Sequence, residues 1–408
     1  MAIEPLTIKI SEEKIEDLRS RLKNAKLAPD FNNSDWRYGT NRDYLESFIQ
    51  SWIDYDWSAT ENEINSFANY TTTIEDLPIH FIYERGEGTN PMPLILSHGW
   101  PWTFWDYEKV IRPLTNPSAF GGNANDAFDV IVPSLPGFGF STPLTTDGVQ
   151  AIMTTDIWHR LMSQELGYER YAVGGGDFGA MIAQQLGQRH PEHVIGVYLT
   201  MASGARRSPE QKPDSAPPST LETLLPLING PTSRLNKEDF APEETDWYEH
   251  LETRWASALS HVAVHTNDPQ TLAYALHDSP VGLAAWLLER RRNWSDNNGN
   301  IEEAFSRKFL MDLVSIYWLT DSFFTSARWY WHTFRAKIDP PKNPTLARET
   351  PLGIAVSPKD LVYTPKKMVE ENANLIHWTE HPRGGHFGPA EEPELFIEDI
   401  RKFFQKLR

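Results

Sequence analysis

Asp177, Asp360 and His386 occur in that order, each at a place where a short apolar run ends. Asp177 stands in "YAVGGGDFGAMIA", after an apolar strand-like run and before a helical one. One reading of this turn is a phosphate cradle, since Gly174, Gly176 and Gly179 spell GxGxxG. That fingerprint requires an acid about 20 residues further on, and "VYLTMASG" offers none. A second reading is a helix cap. The third is a nucleophile elbow, small-x-nucleophile-x-small, over Gly175 to Gly179, with aspartate in the place of the usual serine. An elbow calls for an acid and then a histidine on later loops. "IAVSPKDLV" supplies Asp360, and "HPRGGHFGPAEEP" supplies His386 before the last helical run. Singly, Asp360 reads equally as a turn residue and His386 as an ordinary loop histidine. Their order and loops favour the triad. "LSHGWP" at the end of an earlier strand adds a glycine-rich turn. It can aim the N–H of Trp100 at the same point as that of Phe178, forming an oxyanion hole.

An aspartate elbow favours particular chemistry. A carboxylate is already ionised at pH 7 and can attack a saturated electrophilic carbon, giving an alkyl ester. His386 would then activate water against the ester carbonyl, with Asp360 fixing its tautomer and stabilising its cation. A haloalkane leaves as halide and needs no proton. An epoxide opens to an alkoxide and needs an acid. A silent ligand-binding protein has no use for the three residues together.

Parallel strands must hold these residues. "MPLILSH", "FDVIVPS", "YAVGG" and "VIGVYLTM" alternate with helical patterns, which predicts βαβ units in an α/β fold. From about 205 to 345 the alternation stops. A Pro/Ser-rich stretch, "SPEQKPDSAPPST", leads into helical patterns such as "DSPVGLAAWLLERRRNW" and "FSRKFLMDLVSIYWLTDSFF". Strand patterns resume in "LGIAVS" and "NLIHW", and "PAEEPELFIEDIRKFFQKL" reads as an amphipathic helix with acids early and bases late. Before residue 88, Ser11 starts a helix, Leu45, Phe48, Ile49 and Trp52 share a helical face, and "TTTIEDLPIHFIYE" reads as a hairpin turning at Glu75-Asp76. The expected division is 1–88, an N-terminal segment; 89–204 and 345–408, two parts of one core; and 205–344, a helical insertion.

Composition narrows the class. The 408 residues are 40% hydrophobic, enough for a large core. There is no cysteine, so disulfides and cysteine-based zinc sites are excluded. The net charge of −18 argues against nucleic acid or an anionic membrane as partner. No apolar run has the length of a membrane span, and the N-terminal stretch does not read as a signal peptide. The expectation is a cytoplasmic protein with no cofactor and no metal.

The stretches "LSHGWP", "VPSLPGFGFS", "VGGGDFGA", "DSPVGLAAWLLE", "SIYWLTDSF" and "RGGHF" together resemble the microsomal and juvenile-hormone-type epoxide hydrolases, over nearly the whole chain. The lid segment "DSPVGLAAW" is the most specific of them. The resemblance implies an α/β-hydrolase fold with a helical lid and an N-terminal epoxide-hydrolase-type domain wrapping core and lid. It implies Asp177 as nucleophile, Asp360 as acid and His386 as base, acting on a small hydrophobic epoxide and water, with no membrane anchor. A homodimer is left open. The family uses two lid tyrosines as ring-opening acids. One matches Tyr330 in "FTSARWYWHTF"; at the other position, eight residues before Pro269, stands His261. His261 either donates the second hydrogen bond or is a packing residue, and the site then works with Tyr330 alone or with changed chemistry. Trp102 replaces a glycine common after "HGWP", either narrowing the pocket or facing outward.

Overall fold

Each alternating apolar run becomes a strand of one sheet. In the computed structural model, residues 2–201, 235–337 and 341–408 are described; the Pro/Ser-rich stretch and the start of the expected insertion lie outside them. The strands are β1 (Glu4–Pro5), β2 (Asn69–Ile74), β3 (Leu77–Glu84), β4 (Met92–Ser97), β5 (Phe128–Pro133), β6 (Tyr171–Gly175), β7 (Val194–Leu199), β8 (Pro351–Val356) and β9 (Asn374–Glu380). Their order is β1-β2-β3-β5-β4-β6-β7-β8-β9. From β5 to β9 all neighbours are parallel, so their C-terminal ends share one edge. Every residue of β5 and of β6 is buried, as expected of parallel strands covered on both faces.

The N-terminal hairpin continues this sheet, with β3 antiparallel to β5 and β1 antiparallel to β2. Its turn residues Glu75 and Asp76 both have positive φ, 53° and 63°. Two such residues make the tight turn whose twist matches a hairpin. Upstream, the Asn41 side chain caps the helix Arg42–Ile53, whose Leu45, Phe48, Ile49 and Trp52 are buried.

Between β7 and β8, the described residues form a short helix Pro344–Glu349 just before β8 and, ahead of it, the helices Thr245–Asn267, Pro269–Asp278, Pro280–Trp294, Arg307–Leu319 and Phe323–Thr333. The helical pattern expected through "FSRKFLMDLVSIYWLTDSFF" breaks at the polar Thr320-Asp321-Ser322. Asp321 adopts φ 54° and separates Arg307–Leu319 from Phe323–Thr333. The C-terminal amphipathic run is likewise divided, Gly388–Glu391 then Pro393–Gln405, because proline cannot supply an interior helical N–H.

The N-terminal segment grips this helical layer as well as the sheet. Trp52 Nε1 donates to Ser315 Oγ at 2.8 Å. Asp312, almost fully buried, accepts from Tyr55 (2.5 Å), Thr60 (2.8 Å), Trp105 (3.3 Å) and Lys308 (3.0 Å). Among the described residues, no helix is long and apolar enough to cross a membrane.

Candidate active site

β6 ends at Gly175 and the helix Phe178–Arg189 starts three residues later, leaving Asp177 at the turn with φ 53° and ψ −126°. So sharp a turn requires backbones to nearly touch. A Cβ on Gly179 would lie 1.9 Å from the Ser97 carbonyl oxygen, and one on Gly175 would lie 2.5 Å from Gly179. The small residues of the elbow are therefore steric necessities. The turn lifts the Asp177 side chain to the sheet edge, where it keeps 21% of its surface accessible amid buried neighbours.

Three loops from the same edge meet there. After β4, the N–H of Trp100 donates to Asp177 Oδ1 at 2.9 Å. After β9, His386 Nε2 stands 3.2 Å from Asp177 Oδ2. After β8, Asp360 Oδ1 lies 2.8 Å from His386 Nδ1. Phe178 opens the helix, so its N–H has no intrahelical acceptor. Burial by itself would depress the His386 imidazole. The charges of Asp360 and Asp177 and their hydrogen bonds outweigh it and lift the pKa to about 10. Both carboxylates thus favour the protonated imidazole, which can donate from both ring nitrogens to them.

The helical layer supplies the facing wall. Tyr330, on Phe323–Thr333, is buried edge-on to Phe178 (ring centroids 4.8 Å) and to Trp100 (5.7 Å). Burial, then the charge of Asp177, holds its phenol well above the ordinary pKa of 10, so the O–H stays intact. His261, on Thr245–Asn267, stacks on Trp100 (5.0 Å, 13°) and meets Tyr330 edge-on (5.2 Å). Trp102 is turned inward. It is fully buried, edge-on to His386 at 5.8 Å, and a Cβ on Gly176 would meet its ring at 2.8 Å.

Three neighbours were not singled out from the sequence. His265, one helical turn past His261, packs edge-on against Trp100 (4.7 Å) and Tyr330 (5.0 Å). Its Nε2 accepts from Trp286 Nε1 at 3.2 Å, and burial keeps it far below the ordinary histidine pKa. The i, i+4 spacing in "HVAVH" was the available signal. Trp294 packs edge-on to His386 at 5.6 Å. Arg291, wholly buried, pairs with Asp106 (2.6 and 2.9 Å) and donates to the Pro101 carbonyl (3.0 Å), which fixes the loop carrying Trp100. Neither Trp294 nor Arg291 had a sequence signal beyond helical periodicity.

Comparisons with known proteins show the family to which the chain belongs. The family profile described as "Epoxide hydrolase N terminus" matches residues 3–107, and that described as "alpha/beta hydrolase fold" matches residues 92–347. The chain is 34% identical over 418 aligned positions to epoxide hydrolase 1 of Oryctolagus cuniculus, covering 98% of this chain and 88% of that protein. It superposes on the structure of Aspergillus niger epoxide hydrolase with TM-score 0.81 and 26% identity, covering 100% of this chain and 97% of the other. For juvenile hormone epoxide hydrolase from the silkworm Bombyx mori the values are 0.82 and 26%, with 100% and 95% covered. The chain is an enzyme of the α/β-hydrolase fold and belongs to the epoxide hydrolase family.

Proposed function

We propose that the enzyme converts a small hydrophobic epoxide to a vicinal diol through an alkyl ester on Asp177. The observation that carries this is the chain of contacts Trp100 N–H, Asp177, His386, Asp360, with Tyr330 packed beside it. Oδ1, already bound to Trp100 N–H, becomes the ester carbonyl oxygen. Oδ2 attacks an epoxide carbon as the C–O bond opens. Tyr330 donates its proton to the departing alkoxide, with His261 as second donor. Esterification removes the negative charge of Asp177, and with it part of what holds the His386 proton. That proton restores Tyr330, so the two events leave a neutral imidazole facing a neutral ester. His386 then takes a proton from water, and the oxygen attacks the ester carbon. The negative charge on Oδ1 is held by the N–H groups of Trp100 and Phe178. Collapse releases the diol and returns the starting aspartate–imidazolium pair.

Residues 205–344 act in this reading as the lid that brings the donors, and 89–204 with 345–408 as the core that brings the triad; 1–88 braces the two. The apolar wall of Trp100, Trp294 and Phe178 favours a hydrophobic substrate. His386→Gln should separate the half-reactions. Mixed with styrene oxide, the variant should gain the mass of one epoxide on the Asp177 peptide, because hydrolysis becomes slower than formation. An unmodified protein that still yields diol would contradict the ester route.

A further inference from the structure

One carboxylate on the histidine loop takes no part in the steps above. Glu391 Oε1 accepts the N–H of Phe387 at 2.8 Å. Its Oε2 accepts the N–H of Gly385 at 3.0 Å and that of Asp296 at 2.9 Å. Gly385 and Phe387 flank His386. Asp296 lies just past the end of the helix Pro280–Trp294. The seam is reciprocal: Asp296 Oδ2 accepts the N–H of Gly384 at 3.1 Å, and the Trp294 carbonyl accepts the N–H of His386 at 2.8 Å. The two backbones also touch, since a Cβ on Gly385 would fall 2.5 Å from the Trp294 oxygen. The base is therefore tied to the end of a lid helix as well as to the strand that precedes it.

We propose that Glu391 is the positioning residue of the base, clamping both sides of His386 against the lid helix and lending the imidazole negative charge. This rests on the ester route above. A carboxylate can accept three N–H groups at once, whereas a carboxamide has one accepting oxygen and turns an NH2 toward the remaining donors. Burial lifts the Glu391 carboxyl to a pKa of about 7 against the pull of the three backbone N–H groups and the charge of His386, so its negative charge is present from neutral pH upward. The charged groups facing it are His386 and, from the helix Thr245–Asn267, Arg254; Asp296 adjoins through its backbone. Those facing His386 are Asp177 and Asp360. In the ester state the charge of Asp177 is gone, so at neutral pH and above Asp360 and Glu391 remain to set the basicity of the imidazole.

The test follows ester formation and ester hydrolysis separately, by rapid quench and intact-protein mass, in full-length wild type, Glu391→Gln and Glu391→Asp with styrene oxide. Glu391→Gln should slow hydrolysis roughly ten- to hundredfold, the range for a displaced catalytic group, while formation changes far less and ester accumulates. The acid limb of hydrolysis should move to lower pH, because an imidazole with less negative charge nearby protonates later. Glu391→Asp, which keeps the charge and loses reach, should slow hydrolysis with the limb in its wild-type place, and it carries the test if the glutamine variant fails to fold. Equal loss in both half-reactions, or no change in hydrolysis, or an unmoved limb in Glu391→Gln would overturn the assignment. Wild type that forms no ester would overturn the route itself, and this proposal with it.

Discussion

In the proposed route Tyr330 and His386 divide the proton work, and their environments push them in useful directions. The phenol is buried beside a carboxylate, so it keeps its proton far into the alkaline range. The imidazole is held by two carboxylates, which lift its pKa to about 10. In the proposed route Tyr330 gives its proton to the first hydroxyl and the imidazole cation then restores Tyr330, so ester formation draws on the protonated imidazole. Ester formation should therefore be full below this pKa and fall as the pH rises through about 10. Asp360→Asn removes one of the two charges, so the alkaline limb should move to lower pH; a stopped-flow pH series on ester formation checks the sign. Tyr330→Phe should slow ester formation by roughly two to four powers of ten, the range for a positioned acid, with less effect on hydrolysis. His261 stacks flat on Trp100 and edge-on to Tyr330. His261→Phe should slow ester formation in single turnover, and His261→Tyr should keep or raise it; no change in the phenylalanine variant would leave Tyr330 alone as donor.

The elbow was legible because its requirements are local. A strand, three small residues, one carboxylate and a helix can be read from thirteen letters, and the contact of Gly179 with Ser97 explains the letters. Gly179→Ala should cost on the order of 3 kcal/mol or prevent folding, as overpacking against backbone does, measured by urea denaturation. The loops of Asp360 and His386 were legible for a related reason: parallel strands deliver their C-terminal ends to one edge, so order along the chain implies proximity. The elements of the helical layer were less so. Helical periodicity says which face is buried and nothing about what lies across from it. Hence His265, Trp294 and Arg291 stayed hidden among packing residues, whereas the break at Asp321 had a signal in the polar Thr320-Asp321-Ser322 that interrupts the apolar pattern. Arg291→Met should destabilise by about 3–5 kcal/mol, because it strands the buried Asp106 carboxylate. It should also slow ester formation, since the Pro101 carbonyl loses the donor that fixes the Trp100 loop.

At the scale of the whole molecule, the proposed route has the sheet carry the triad and the helical layer carry the donors, so the reaction would depend on how firmly the two are joined. The N-terminal segment joins them, through β2 and β3 on the sheet and through Trp52, Tyr55 and Thr60 on Ser315 and Asp312. Its hairpin was readable from sequence; its membership in the central sheet was not, because alternation does not name a strand's partner. Asp312→Ala leaves buried donors without their acceptor and should lower stability by about 2–4 kcal/mol, with little owed to the half-exposed Lys308. The joined assembly has one purpose in this account, to let Asp177 carry the substrate covalently. A single turnover in ¹⁸O-water, with enzyme in excess over epoxide, tests that directly. The expected result is unlabelled diol and ¹⁸O in the Asp177 side chain, because water attacks the ester carbon and its oxygen stays on the carboxylate. Labelled diol with no label on Asp177 would mean that water attacks the epoxide itself, and would contradict the account.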